Sequence, residues 1–290
     1  MKAMILAAGL GTRLRPLTDT RPKALVEIQD RTLLEITLTR LRSFGITEAI
    51  INVHHFADMV VQYLKSKNNF NMRLEISRED DQLLDTGGGL KKAAWFFKEA
   101  SAAPDAPFVL HNVDVISTID LHTMLQFHTT NQALATLAVQ TRDSARQLLF
   151  NDQLQLSGRR VNKKNSVISS EARNLSSPSP DARASHSPLA TRHSPLPQSP
   201  EPSPLLPLAF SGIHILSPRL LPQLTETGPF SIIDSYLRLS GQGQKILAFR
   251  HDHSYWRDLG KPADLAQAAM DLQQADPFDQ PKIDNQGGTR

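Results

Sequence analysis

Two glycines within a run of small residues, Ala7-Ala8-Gly9-Leu10-Gly11-Thr12-Arg13, follow directly on the apolar stretch from Met4 to Ala8. Residues without bulky side chains let backbone N–H groups turn together toward a bound anion. Arg13, Arg15 and Lys23 come next, and fixed cations beside an amide nest suit a polyphosphate. Two other nucleotide-binding patterns fail on spacing. A dinucleotide fingerprint needs a third glycine where Leu14 stands, and a Walker loop needs a Gly-Lys-Ser/Thr that never occurs. The chain has no cysteine, which excludes disulfides, thiol nucleophiles, iron–sulfur clusters and Cys-ligated zinc. His54-His55 and His251-x-His253 have no third ligand at a zinc spacing, so they read as solvated or hydrogen-bonded histidines. No Ser-His-Asp set presents itself, and Arg15 and Arg21 read as solvated charges at the loop rim.

The elements around this loop alternate apolar runs with amphipathic stretches, the pattern of a mainly parallel sheet. Lys2 to Ala7, Ala49 to Val53, Met72 to Ile76 and Pro107 to His111 read as strands. Helices are predicted over Thr32 to Phe44, near Asp58 to Lys67 and from about Gly89 to Phe97. In the first of these, Leu34, Leu38 and Leu41 share a face, Thr32 and Glu35 suit a capping box, and Gly45 supplies the stop. Ala133 to Gln140, Gln147 to Phe150 and Gln153 to Leu156 read as further strands, the last two joined at Asn151-Asp152. Beyond them, Leu208 to Leu216 and Lys245 to Phe249 read as strands, with helices near Ser231 to Ser240 and over Pro262 to Gln273.

Between these blocks, residues 165–206 hold 19 serines and prolines and no aromatic residue. Such a segment cannot bury enough apolar surface to offset its ordering entropy. It is expected to be a disordered insertion in a single domain spanning 1–273, with 274–290 as a flexible tail. No apolar run reaches the roughly 18 residues of a membrane span, and the N-terminal run is too short for a signal peptide. A soluble, cytoplasmic protein is expected. The net charge of +3 does not argue for nucleic acid, and it suits a small anionic substrate equally well.

The string Ala7-Ala8-Gly9-x-Gly11-Thr12-Arg13-x-x-Pro16-x-Thr18, with Pro22-Lys23 beyond it, resembles the signature of the sugar-1-phosphate nucleotidyltransferases. The rest of the chain carries the resemblance on, over about residues 1–160 and 207–270. Asp85-Thr-Gly-Gly-Gly89 resembles the base-binding turn of that family, Asn112-Val-Asp-Val115 its first metal-binding loop, and Phe210-Ser-Gly-Ile213 its sugar-contacting strand. Trp256-Arg-Asp-Leu-Gly260 resembles the stretch that carries its second metal-binding aspartate, while Trp256 itself reads as core. An aspartate after a buried strand is by itself a common helix cap, and pairing with a second matching motif is what turns Asp114 toward metal.

The resemblance implies a three-layer α/β/α Rossmann-like sandwich with a mixed, mostly parallel sheet and its site at the C-terminal strand ends. It implies nucleotide contacts from Ala7, Ala8, Gly9, Gly11, Thr12, Gln82, Thr86, Gly87 and Gly88. Arg13 would hold the β- and γ-phosphates, and Lys23 would reach the α-phosphate or the sugar phosphate. Asn112, Gly212 and Asp234 would contact the sugar, with Asn52 as a further residue of that kind. Asp114 and Asp258 would hold Mg²⁺. Joining two phosphates is mainly charge neutralisation and in-line positioning, which this set of residues suits.

The partners implied are an NTP and a sugar 1-phosphate, with no nucleic acid or membrane and with a monomer or homodimer as the assembly. The short form of the family looks most like the muramic acid-1-phosphate uridylyltransferases of cell-wall recycling, then the mannose- and heptose-1-phosphate guanylyltransferases. A side-chain amide such as that of Gln82 pairs with uracil or guanine alike, so base and sugar stay open here. A degenerate homologue that senses nucleotide sugar is the non-enzyme alternative, and a nicotinamide oxidoreductase, opposed by Leu14, is the remote one. Two features depart from the pattern: Val113 stands where the family usually has glycine, and the 165–206 insertion separates the hairpin around Asn151 from the sugar-contacting strand.

Overall fold

Each of the first parallel strands is followed by a stretch long enough to cross back over the sheet, as parallel pairing requires. In chain order the computed structural model runs from β1 (Lys2–Leu6) through a short hairpin, β2 (Glu27–Ile28) and β3 (Arg31–Thr32), to α1 (Leu33–Ser43) and β4 (Glu48–Val53). Then come α2 (Ala57–Ser66), β5 (Arg73–Arg78), α3 (Asp85–Lys98), β6 (Phe108–Asn112), β7 (Val115–Ser117) and α4 (Leu121–Thr130). Three strands follow: β8 (Ala135–Gln140), β9 (Arg146–Phe150) and β10 (Leu156–Val161). The chain closes with β11 (Leu206–Leu216), α5 (Ile232–Gly241), β12 (Ile246–Arg250), β13 (Trp256–Asp258) and α6 (Pro262–Gln274). The structure describes residues 1–99, 105–161 and 204–274. Nearly all of the expected insertion at 165–206 therefore lies outside the described residues, as does the expected tail after 274.

Strands β5, β4, β1 and β6 pair in parallel. The second half of β11 then runs antiparallel between β6 and β8, and β12 lies parallel to β8. At its start β11 pairs with β9 through Leu206 to Leu208, while Ala209 and Phe210 pair with β8, and β9 carries β10 at the edge. This puts the C-terminal ends of β1, β4, β6 and β8 along one edge of the sheet.

Alternation along the strands feeds two cores. Ala3, Ile5, Ala49, Ile51 and Val109 face a layer built by α1, α2, α4 and α6. Met4, Ile50, Phe108 and Leu110 face α3 and α5. The architecture is the expected three-layer sandwich with a mixed, mostly parallel sheet.

Four local expectations are corrected. Helix α3 starts at Asp85 and takes in all three glycines. Strand β10 starts at Leu156, where the expected strand ends, because the Asn151 side chain accepts the N–H groups of Gln153 and Gln155 and closes a longer loop. The capping box is half-formed. Thr32 Oγ1 accepts the Glu35 N–H at 3.0 Å, while the Glu35 carboxylate turns to the Tyr63 hydroxyl at 2.7 Å. Helix α4, absent from the sequence reading, is capped by the Asp120 carboxylate. Among the described residues no helix is long and apolar enough to cross a membrane.

Candidate active site

A cleft of about 490 Å³ opens at the C-terminal strand ends. The loop after β1 forms one wall with Ala7, Ala8, Gly9, Gly11, Thr12 and Arg13. Its entry is fixed by the Ala7 N–H, which donates to Asn52 Oδ1 at the end of β4, 2.8 Å away. Gly11 has to be glycine. Its φ is 65°, and a Cβ there would sit 2.9 Å from Thr18 Cγ2. The Thr18 hydroxyl donates to the Gly11 carbonyl at 2.9 Å and holds the turn from below. Thr12–Leu14 then makes one 3₁₀ turn, which carries Arg13 across the cleft. Its guanidinium lies against Gly260, where a Cβ would come within 2.6 Å of Nη2.

Lys23 is only 8% exposed, and its ammonium is ion-paired with Asp114 Oδ2. That contact joins residues 91 positions apart in sequence. Asp258 is brought beside them by a two-stranded ladder in which β13 runs antiparallel to β7 and pairs Asp258 with Val115. The Leu259 N–H donates to the Asp114 carbonyl at 2.7 Å and locks the two segments. Asp258 Oδ1 is buried and has no hydrogen-bond partner among the described residues. Burial, then the Asp114 charge, push the Asp258 carboxyl above its ordinary pKa, while Lys23 and Arg13 oppose the shift. Two carboxylates, one with a vacant buried oxygen, form an all-oxygen donor set of the kind a hard divalent cation takes.

The other residues singled out in the sequence divide. Thr86 and Asn112 line the cleft. Gly87 and Gly88 serve packing instead: both N–H groups donate to the Phe230 carbonyl, at 2.9 and 3.3 Å. A Cβ on Gly87 would lie 2.3 Å from the Phe230 ring. One carbonyl thus satisfies two of the otherwise unpaired N–H groups at the start of α3, and the Thr86 hydroxyl returns the favour to the Ile232 N–H of α5 at 3.0 Å. Gln82 is exposed, and Leu83 and Asp85 are its neighbours that reach the cleft wall. Gly212 sits behind Asn112, with φ at 77° and a notional Cβ 3.0 Å from Asn112 Nδ2. Asp234 stands off on α5, paired with Arg159 at 2.6 Å.

Asn52 is buried at the cleft floor as a structural link. Arg15 pairs with Asp19 at 3.3 Å on the surface, and Arg21 is exposed. His54 bonds to the Glu79 carbonyl and His251 to the Ser211 hydroxyl, as hydrogen-bonded histidines should. Trp256 packs partly against the core, with the Arg142 guanidinium 3.8 Å above its ring. Arg142, Glu79 and Pro229 are features the sequence reading passed over.

Val113 has no positive φ. Its N–H donates to the Leu6 carbonyl at 3.1 Å, and its side chain is buried in the core under α1. The departure from glycine is therefore accommodated by ordinary backbone. Val113→Gly should leave any turnover at this cleft unchanged and lower stability by about 3 kcal/mol, the scale of one buried valine plus glycine's added chain entropy. Paired thermal melts and rate titrations check this. A large loss of rate in the folded variant would show that the valine side chain shapes the site.

The family model for nucleotidyl transferases matches residues 2–148, just over half of the chain. N-acetylmuramate alpha-1-phosphate uridylyltransferase of Caulobacter vibrioides is 44% identical over 116 residues, which cover 39% of this chain and 46% of that protein. UTP–glucose-1-phosphate uridylyltransferase of Synechocystis is 34% identical over 149 residues, or 49% and 37% of the two chains. A mannose-1-phosphate guanyltransferase of Emericella nidulans is 38% identical over 129 residues, or 44% and 34%. The matched stretch spans less than half the length of each of these relatives. Among solved structures, HddC from Yersinia pseudotuberculosis complexed with GMP-PN superposes with a TM-score of 0.65 at 19% identity, covering 93% of this chain and 99% of that one. UDP-glucose pyrophosphorylase complexed with UDP-glucose gives 0.67 at 18% identity, covering 94% and 98%. These two likenesses speak for the fold. The family match begins at β1, takes in the whole glycine loop, Lys23 and Asp114, and ends inside β9, and it makes this chain a member of the nucleotidyl transferase family.

Proposed function

We propose that the protein transfers a nucleotidyl group from an NTP to a sugar 1-phosphate. A phosphate oxygen of the sugar phosphate attacks the α-phosphorus, the bond to the β-phosphate oxygen breaks, and pyrophosphate leaves. The observation that carries this reading is the convergence of Arg13, Lys23 and Asp114 on one glycine-lined cleft, with Asp258 directly behind. The attacking oxygen is already ionised at neutral pH, so no general base is required.

Within that cleft the loop amides after Ala7 face the polyphosphate and Arg13 holds its leaving end. Lys23 turns from Asp114 to the phosphates, where its charge offsets the approach of one anion to another. The vacant buried oxygen on Asp258 and the adjacent Asp114 carboxylate fit Mg²⁺, and these two residues would hold it. Bound there, it would supply charge neutralisation between the reacting phosphates.

The 44% identity to a uridylyltransferase for N-acetylmuramate 1-phosphate favours UTP and that sugar, with a role in cell-wall recycling. The 38% identity to a mannose-1-phosphate guanyltransferase supports GTP and mannose 1-phosphate as the second reading. Incubation of each NTP with each sugar phosphate, read as pyrophosphate release, separates them. The favoured reading expects release with UTP and N-acetylmuramate 1-phosphate. Release from no pair by a folded protein would overturn the proposal.

Lys23→Ala should lower kcat by about a hundredfold, the scale of one lost transition-state contact. Arg21→Ala, at the exposed rim, should stay within about twofold of wild type, as surface changes do. Equal losses from both would mean that a diffuse basic rim, and not a specific lysine, does the binding.

A further inference from the structure

Glu79 is 1% exposed, and none of the site motifs includes it. Its carboxylate accepts two hydrogen bonds: Asn52 Nδ2 donates to Oε1 at 2.7 Å, and the Leu84 N–H donates to Oε2 at 2.8 Å. Asn52 in turn accepts the Ala7 N–H through Oδ1 at 2.8 Å. A continuous chain of three bonds thus runs from the anion loop at Ala7, under the floor of the cleft, to the loop at Leu84 on its other wall. Helix α3 closes over it at Gly89, where a Cβ would meet both Asn52 Nδ2 and Glu79 Oε1 at 2.8 Å. That contact gives the last of the three glycines its reason.

The polarity of this chain is fixed by its ends. Ala7 and Leu84 both present backbone N–H groups, which can only donate. The two side chains between them must therefore supply three acceptors and one donor, which means one amide and one carboxylate. Two amides leave a donor facing a donor, and two carboxylates leave an acceptor facing an acceptor. We infer that Glu79 is a positioning residue which, through Asn52, sets the anion loop and the opposite wall of the cleft at a fixed separation for the nucleotide. The effect on nucleotide affinity rests on the function proposed above, whereas the coupling of the two loops does not.

The test is a cycle of four proteins: wild type, Glu79→Gln, Asn52→Asp and the double variant carrying both changes. The double variant reverses the order of amide and carboxylate and satisfies every bond again. Amide hydrogen exchange at Ala7 and Leu84 reads the coupling directly, and KM for the nucleotide and for the sugar phosphate reads its use. Each single variant should speed exchange at one or both amides and raise the nucleotide KM by about tenfold, the cost of one buried donor or acceptor left unmet. The KM for sugar phosphate should move by less than about twofold, and the double variant should return every value to near wild type, since coupled sites fail to add. A double variant no better than the singles, or a Glu79→Gln protein with unchanged exchange and KM, overturns the inference. If a single variant does not fold, a folded double variant with wild-type exchange upholds it, and a double that also fails to fold overturns it. A closed exchange cycle in a protein that binds no nucleotide would refute the proposed function and leave the positioning role standing.

Discussion

Asp258→Asn is expected to lose at least about a hundredfold in turnover, the scale of one removed transition-state interaction, while its melting temperature holds or rises. The two halves of that result have one cause. Asp258 carries a buried oxygen with no hydrogen-bond partner among the described residues, and burial and the Asp114 charge both disfavour its ionised form. A carboxylate kept in such a place costs stability, and an amide removes the charge and the repulsion together. On the proposed function the charge would serve the bound state, where the pair of carboxylates would hold a divalent cation. Asp114→Asn should lose as much turnover, but without the gain in stability, because Lys23 would then be held at the cleft floor without its ion-pair partner. Pyrophosphate release across a Mg²⁺ titration, set beside a thermal melt of each variant, checks both. A near-wild-type rate in either folded protein sinks the assignment of these aspartates.

The parts of this site that could be read from sequence are those whose residue types carry the chemistry. Gly9, Gly11, Arg13 and Lys23 lie within one short run, and the loop they form is local. Asp114 and Asp258 could be named as a pair from their flanking residues, yet nothing in their spacing brings them together. The contact depends on β7 and β13, three residues each, too short to show any alternation. The glycines after Thr86 misled for a physical reason. Three glycines disfavour a helix by intrinsic propensity, and tertiary packing overrides that, because the Phe230 ring and Gly228 carbonyl fill the space where Cβ atoms would be.

Glu79 was hidden by its neighbours. In the run Arg78-Glu79-Asp80-Asp81 it reads as one more solvated charge, and only the fold shows that this one turns inward. Helix α4 was masked similarly. Its buried stripe is Leu121, Met124 and His128, and a histidine in the third place breaks the apolar periodicity that marks a helix face.

That histidine belongs to a set that should make the protein unfold in mild acid. His111, His128, His214 and His251 are each at most 5% exposed. Burial holds the first two and His251 down to about 4, and His214 to about 3. The charged groups around them offer little help. Arg40 opposes protonation of His111 against a weaker pull from Asp114, Arg219 opposes it at His128, and His111 opposes it at His214. Asp252 favours it at His251 and Arg142 opposes it. Above the unfolded value near 6.5 all four are neutral in both states and stability is indifferent to them. As pH falls through 6.5 the unfolded chain takes up protons that the folded chain refuses, so stability declines until the folded values are reached. By pH 5 each residue costs roughly 2 kcal/mol, and four reach roughly 8 kcal/mol, most of the stability an ordinary domain has. Below about pH 4 the decline continues through Asp271, whose pairing with Arg257 lowers its pKa to about 2. Asp258 works the other way, since its raised pKa favours the folded state as it protonates, but it is a single group. Urea unfolding at a series of pH values from 7.5 to 5 should therefore show a steep loss of stability, with a slope approaching four protons per molecule at the acid end. Replacing His214 with Gln, which keeps a partner for the Tyr236 hydroxyl now 2.9 Å from its ring, should reduce that slope by about one proton. A flat profile between pH 6.5 and 5 would mean that these imidazoles protonate in the folded protein as readily as in the unfolded chain, and that burial does not hold them neutral.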